Sequence, residues 1–492
     1  MKFLDIPLEN VGKYAIIKLT LAKRTQGKEV YQMHFRRGHY EMDMTTGSIL
    51  PKLLMFSLPL MLSSILQLLF NAADVIVVGR FEGENALAAV GSTGALINLI
   101  VNLFMGLSVG ANVVIARYYG AGELKDTSRA VHTSVTISMV SGVILAVFGF
   151  LMARTFLVWM GSPDDVLPLA ALYMRIYFLG MPFNMLYNFG AAVLRAVGDT
   201  QRPLIFLMLA GVINVILNLI FVIVLHIGVA GVALATIISQ GVSATLVLLC
   251  LLRSEGAIHV NLRKLGVDLD KLKEITRIGL PAGLQGVFFS LSNVLIQSTV
   301  NSFGSIVVAG NSVSANIEGF IYVAMNAMHQ AAITFTSQNL GAQKYVRIRK
   351  VCLLSVLSVT VIGIALGCVA LLFKDALLSI YSDVPEVIAA GEIRLLIIAS
   401  TYFLCGIMDV LCGALRGLGS TVLPMVVSIL GACAFRIFWI YCVLPFNRTL
   451  NMLYISYPVS WIITAAVHAV CFARMLRRFP VSAGLDAPNA AA

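Results

Sequence analysis

Residues 194–203 read Leu-Arg-Ala-Val-Gly-Asp-Thr-Gln-Arg-Pro, and 221 positions later residues 415–424 read Leu-Arg-Gly-Leu-Gly-Ser-Thr-Val-Leu-Pro. Leu, Arg, Gly, Thr and Pro return at the same places, so the chain contains a copy of itself. The register extends outward: Gly120-Ala121 falls on Gly341-Ala342 at the same shift, while Leu58-Pro59 falls on Leu280-Pro281 and Asn71 on Asn293 at a shift of 222. Around each copy lie apolar runs long enough to cross about 30 Å of hydrocarbon, which takes roughly 20 helical residues. The first copy carries six, at 53–80, 86–116, 129–153, 167–194, 203–225 and 228–252. The second carries six more, at 277–300, 306–337, 351–373, 387–415, 423–446 and 452–473. The runs are continuous instead of alternating, which excludes membrane strands, and only helices satisfy their own backbone in lipid. The fold class expected is therefore all-α integral membrane: twelve transmembrane helices in two homologous six-helix lobes around a central cleft.

Composition agrees. Of 492 residues, 59% are apolar and 12% charged, against roughly 45–50% and about 25% in soluble domains. A soluble globular protein is excluded, and no nucleic-acid partner is expected, since 35 Lys and Arg cannot build a basic surface on so long a chain. The net charge of +11 has another origin: one set of inter-span loops holds nineteen Lys and Arg and the other four, at Arg80, Arg154, Lys374 and Arg448. By the positive-inside rule the richer set, with both termini, faces the cytoplasm of a cell (inner) membrane.

The expected organisation is a flexible cytoplasmic leader at 1–46, an N-lobe at 47–252, a cytoplasmic linker at 253–276, a C-lobe at 277–473 and a cytoplasmic tail at 474–492. Met42 or Met44 would serve equally well as starts, so the leader need not be native. The eight cysteines include no Cys-x-x-Cys pair and lie mostly in apolar runs, as small apolar residues and not as a disulfide frame or zinc site. No metal site and no cofactor is expected. No His-Glu-x-x-His, Gly-x-Ser-x-Gly or Walker loop is present, so an enzyme is not expected. Two lobes about a cleft suit an alternating-access carrier, although duplicated bundles also serve as channels or scaffolds.

An ionised side chain at mid-bilayer costs about 2.5–3.5 kcal/mol on insertion scales, which makes each one a functional candidate. In the N-lobe, Asp74 shares a helix face with Asn71 and Gln67, and spans four and five offer Asn184, Asn188, Asn214 and Asn218. A carboxylate among carboxamides can hold a proton or a small cation. In the C-lobe Ile296 stands where Asp74 would recur, with Asn293 and Gln297 nearby; Glu318, Tyr322, Met325 and His329 line one face of span eight, and Asp409 takes the slot of Asn188. Arg436, near the middle of span eleven, should pair with Glu318 or Asp409. That trio serves either coupling or a structural lock. Met181, Met185, Met325 and Met328 would suit a cavity that repacks around varied ligands, and Asn214, Asn218, Asn293 and Gln297 are expected to line that substrate cavity with Met181, Met185 and Met325. Pro59 and Pro281, at equivalent points of spans one and seven, and Pro182 in span four are candidate hinges.

Asn71-x-x-Asp74-x-x-x-x-Gly79, Gly120-Ala121-Gly122, the Leu194 to Pro203 motif, Asn214-x-x-x-Asn218 and Gly231-x-Ala233-x-Ala235-Thr236 together resemble the multidrug and toxic compound extrusion (MATE) family, from about Thr45 to Phe479. The resemblance implies a monomeric two-lobed antiporter that exchanges protons or sodium ions for small organic, cationic or amphipathic compounds, with membrane lipid as its surroundings. It implies Asp74 as the carboxylate binding the coupling ion, with Asn184 and Asn188 as neighbours. Members with a C-lobe cation site carry a Glu near Phe289 and an Asp near Cys405, which this chain lacks. The alternative within the superfamily is a flippase of lipids or lipid-linked glycans, which tends to have additional spans and a strongly basic cavity.

Overall fold

The computed structural model describes residues 40–479, and they are all helical apart from turns and short links. The first half comprises α1 (Ile49–Phe81), α2 (Glu84–Ala121), α3 (Leu124–Trp159), α4 (Leu167–Leu179), α5 (Met181–Ala196), α6 (Gln201–Leu219) and α7 (Val229–Arg253). The second comprises α8 (Leu269–Asn301), α9 (Ser305–Gly341), α10 (Tyr345–Leu372), α11 (Lys374–Ser379), α12 (Pro385–Gly417), α13 (Val422–Ser428), α14 (Phe435–Phe438) and α15 (Leu450–Leu476). Among the described residues eleven helical stretches are long and apolar enough to span a membrane, and α4 with α5 forms a twelfth, bent by 48°. The bend falls at Gly180, two residues before Pro182 in the first turn of α5, where the missing N–H costs no helical bond. By contrast α1 and α8 run unbroken through Pro59 and Pro281.

The repeated motif is a turn and a cap. Gly198 and Gly419 both have φ in the left-handed region, +95° and +84°, which a side chain disfavours. Asp199 then accepts from the backbone N–H groups of Gln201 and Arg202, each at 3.1 Å, and starts α6. Pro203 and Pro424 sit in the first turn of the helices that follow, where no N–H is needed. The repeat also shows in helix distortions: a π-helical turn extends α6 over Ile220–Val224, and another covers Trp439–Val443 in the matching span.

At the face where residues 42–46 and Phe479 lie, the terminal face, the halves are closed against each other along α2, α8 and α9. Gly106 lies against Gly283, Gly110 against Gly279 and Gly341 against Arg117, so closely that an added Cβ would strike backbone. Polar ties reinforce the closure. Gln338 donates to the Ala196 carbonyl at 2.7 Å, Thr334 to Asn112 at 3.1 Å, and Arg117 pairs with Glu274 at 2.5 Å.

Two boundaries differ from the sequence reading. Residues 269–276, assigned to the linker, belong to α8, because Asp268 caps it by accepting from Asp270 and Lys271 at 3.1 and 3.2 Å; charged residues end an apolar run without ending a helix. The segment 41–46, assigned to a flexible leader, bridges both halves. Met42 N–H donates to the Val197 carbonyl at 3.2 Å, Met44 is fully buried, and Asn339, Lys344 and Arg347 donate to the carbonyls of Met44, Thr45 and Thr46. The rest of the expected leader, 1–39, and the end of the tail, 480–492, lie outside the described residues.

Candidate functional site

Two polar centres emerge, one within the first half and one between the halves. The first is built on Asp74, 8% exposed near the far end of α1. Because α1 packs along α6, the amide that reaches the carboxylate is Asn218, which donates to Asp74 Oδ1. Asn218 Nδ2 also donates to Asn214 Oδ1 at 3.3 Å, and the Thr236 hydroxyl of α7 stands beside the carboxylate. Asn218 Oδ1 is buried with no partner among the described residues. The site is thus rich in acceptors and, among the described residues, holds no cation to satisfy them.

This corrects the expected partners. Asn188 donates to Asn184 Oδ1 at 3.0 Å and to its carbonyl at 2.8 Å, so on α5 the Asn188 amide is bound to Asn184 and not to Asp74. Asn71 is exposed on α1. Gln67 and Asn188 instead line the central cavity, whereas Asn214 and Asn218, expected there, belong to the Asp74 pocket.

The second centre is that cavity, about 800 Å³, walled by both halves and including Asn293 and Gln297 of α8 as expected. Met181, Met185 and Met325 do not line it; all three are fully buried in the packed apolar cores. Asp74 is not in its wall either.

The ionic partners in the cavity also differ from expectation. Glu318 takes a bidentate pair with Arg394 of α12, at 2.9 and 2.6 Å, and Arg394 also donates to Asn311 at 2.6 Å. Arg436 therefore has neither expected carboxylate; its Nε donates to Ser460 at 2.9 Å and its guanidinium lies 4.1 Å from the Tyr457 ring centroid. His329 Nδ1 lies 2.5 Å from the backbone carbonyl of Asp409, so its neighbour there is main chain. On its other side Arg416 approaches His329 at 3.5 Å and donates to Gln285 at 2.7 Å. Asp409 and Tyr322 face the cavity, and the Asp409 carboxylate makes no hydrogen bond or ion pair among the described residues.

Among the described residues four arginines line the cavity, Arg195, Arg394, Arg416 and Arg436, against two carboxylates, Glu318 and Asp409. Sequence reasoning credited the interior with Arg436 alone. Arg195 and Arg416 fall in the last helical turn before a loop and so counted as loop charge, although Arg416 is only 7% exposed. Arg394 stood within a run already taken as a span; its signal was an arginine nine residues after Pro385, too deep to be a rim residue. Among the described residues no group of three His, Cys, Asp or Glu side chains is placed to hold a metal ion.

The family model described as MatE matches residues 59–220 and matches again over 281–442, one match per copy of the repeat. The chain is similar to the probable multidrug resistance protein YoeA of Bacillus subtilis (strain 168), 30% identical over 76% of this chain and 82% of the relative. It is 24% identical to the FAD transporter of Shewanella oneidensis, over 77% of this chain and 84% of that one. Its fold matches a solved outward-facing multidrug resistance MATE transporter of the MOP superfamily with a TM-score of 0.83 at 22% identity, over 88% of this chain and 97% of the other. With both copies of the repeat matched, the chain belongs to the MATE family, whose members are multi-pass membrane transporters and not enzymes.

Proposed function

We propose that this chain is an inner-membrane antiporter, monomeric and with its termini in the cytoplasm, that exports an organic solute by alternating access and is driven by protons or sodium ions entering through the Asp74 pocket. The observation that carries this reading is the pocket's make-up: a carboxylate, two carboxamides and a hydroxyl, sheltered, with Asn218 Oδ1 lacking a donor. Such a set accepts a proton or a small hard cation and repels an anion. One charge crossing 100 mV contributes about 2.3 kcal/mol, enough to shift a two-state equilibrium about fiftyfold.

Because Asp74 is not in the cavity wall, direct competition between ion and cargo for this carboxylate is not supported. Coupling instead runs through α1. Neutralising Asp74 weakens its tie to Asn218, and α1 also carries Ser63, Ser64 and Gln67 on the cavity wall, so a repacked α1 changes the cavity. The closure at the terminal face corresponds, in this orientation, to the outward-facing state. The test is gradient-driven flux into inverted vesicles with Asp74→Asn, using paired dyes of opposite charge. Flux equal to wild type would remove Asp74 from the mechanism.

The cationic cargo that the resemblance implies would face three guanidinium groups without carboxylates of their own, which argues against it. The same basic wall supports a second reading, a flippase of lipids or lipid-linked glycans. Flux that depends on a lipid-linked substrate, with no movement of soluble dyes, would favour it.

A further inference from the structure

We infer that the central cavity holds its cargo by an anionic group, a carboxylate or a phosphate, with Arg416 and Arg436 as the main ligands and Arg195 as the ligand from the other half. The inference rests on the cavity being the cargo site. Among the described residues only Arg394 of these four arginines is matched by a carboxylate, in the bidentate pair with Glu318. That leaves three guanidinium groups and the single carboxylate of Asp409.

These arginines are held ready to donate. Arg436 is 4% exposed, and its position is set by Ser460 at Nε and by the face of Tyr457. Its two terminal nitrogens make no hydrogen bond among the described residues. Arg416 is fixed by Gln285 and by its approach to His329, while its Nε is buried without a partner. The Arg195 side chain makes neither a hydrogen bond nor an ion pair among the described residues, and its Nε is likewise buried and unmet. Arg195 and Arg416 are the matched positions of the repeat, so each half brings the arginine of this motif to the cavity. A planar fork of N–H donors fits carboxylate or phosphate oxygens and offers a cation nothing.

The aromatic surfaces that would otherwise favour a cation are already taken. The ring of Tyr457 lies under both Arg436 and Arg394, and Trp461 lies 5.6 Å from Arg436. Their remaining apolar area, with Phe289 and Tyr402, suits an apolar or aromatic body. The cargo class is therefore an amphipathic organic anion.

The experiment is equilibrium dialysis of the purified full chain against 1-naphthyl phosphate and trimethyl(1-naphthyl)ammonium, which share a ring and differ in charge. The phosphate should bind at least tenfold more tightly, and Arg416→Gln and Arg436→Gln should each weaken it about tenfold or more, with partial recovery in Arg436→Lys. Tighter binding of the ammonium, binding of neither probe, or unchanged phosphate affinity in both glutamine variants would overturn the inference. The wild-type comparison decides even if a variant fails to fold. Dihexanoyl phosphatidic acid separates the two sources of such a group: tighter binding than the naphthyl phosphate assigns a lipid headgroup, weaker binding a soluble anion. Flux of the same probes in proteoliposomes keeps the two readings apart. Phosphate binding without flux sinks export and leaves this inference standing, whereas flux of the ammonium without phosphate binding does the reverse.

Discussion

Asn218 of α6 donates to the carboxylate of Asp74 on α1, and its own carbonyl oxygen is left buried without a donor. The two residues lie 144 positions apart in the chain, so the pocket exists only because the first and fifth spans pack side by side. An acceptor left without a donor next to a carboxylate is costly in a membrane interior, and a bound proton or cation would offset the cost.

Asp74→Asn and Asn218→Ala should therefore separate driving force from cargo binding. Gradient-driven flux should fall by at least tenfold in each, while equilibrium binding of cargo at the cavity stays within about twofold of wild type. Flux and binding measured on one preparation check this. A parallel loss of both would place Asp74 in cargo recognition.

The contrast between what could and could not be read from the chain follows from that packing. An apolar run of span length and a motif repeated at 221 residues are local properties, so the twelve spans and the duplication were legible. Lateral order was not: i, i+3 and i, i+4 spacing places Asn71 and Gln67 near Asp74 along one helix, but nothing in it says that α6 and not α5 lies alongside. The same gap hid Arg394 as the partner of Glu318 and left Arg436 paired on paper with carboxylates it does not meet. Methionines beside polar positions looked like cavity wall, yet Met181, Met185 and Met325 are fully buried in the packed cores.

Closure at the terminal face should be trappable. Arg117 and Glu274 meet at 2.5 Å across the two halves, and alternating access requires that they part. With Arg117→Cys and Glu274→Cys, a short cleavable cross-linker should stop transport, and cleavage should restore it. Transport that continues at full cross-linking would show that the halves do not separate here.

The bridging segment offers a gentler perturbation. Arg347 donates to the carbonyls of Met44, Gly47 and Thr46 at 3.1, 2.8 and 2.9 Å, tying the amino-terminal segment to α10. Hydrogen bonds to a charged group contribute about 1.5–3 kcal/mol each. Arg347→Gln should raise hydrogen exchange across residues 41–47 by tenfold or more and shift the population toward the state open at the terminal face. Unaltered exchange would mean that Arg347 does not hold the segment.

The turn motif makes a prediction about stability alone. Asp199 caps α6 with two backbone hydrogen bonds and pairs with Arg202. Asp199→Ala should destabilise the protein by about 1–2 kcal/mol. Asp199→Ser should retain most of the cap, since serine is what the second copy carries at Ser420. Melting temperatures in detergent order the three, and an alanine variant as stable as wild type would contradict the capping role.

The pair Glu318–Arg394 is buried on both sides, 4% and 8% exposed, and joins α9 to α12. Two roles compete for it: a lock that holds the second half together, and a titrating element of transport. Removing one partner of a buried pair leaves an uncompensated charge and typically costs about 3–5 kcal/mol, while replacing both by apolar residues of similar size is often neutral. A lock therefore predicts that Glu318→Gln and Arg394→Met each lower the melting temperature markedly, and that Glu318→Met with Arg394→Met recovers both stability and flux. A transport element predicts a recovered fold whose gradient-driven flux stays low. Asn311 bears on the choice, because Arg394 and Tyr454 both donate to its Oδ1, at 2.6 and 3.2 Å, and its Nδ2 donates to Gln297. That arrangement has satisfied donors on every side and no acceptor in want of a proton, unlike the Asp74 pocket, so the lock is the expected outcome. Recovery of the fold without recovery of flux in the double variant would reverse that assignment.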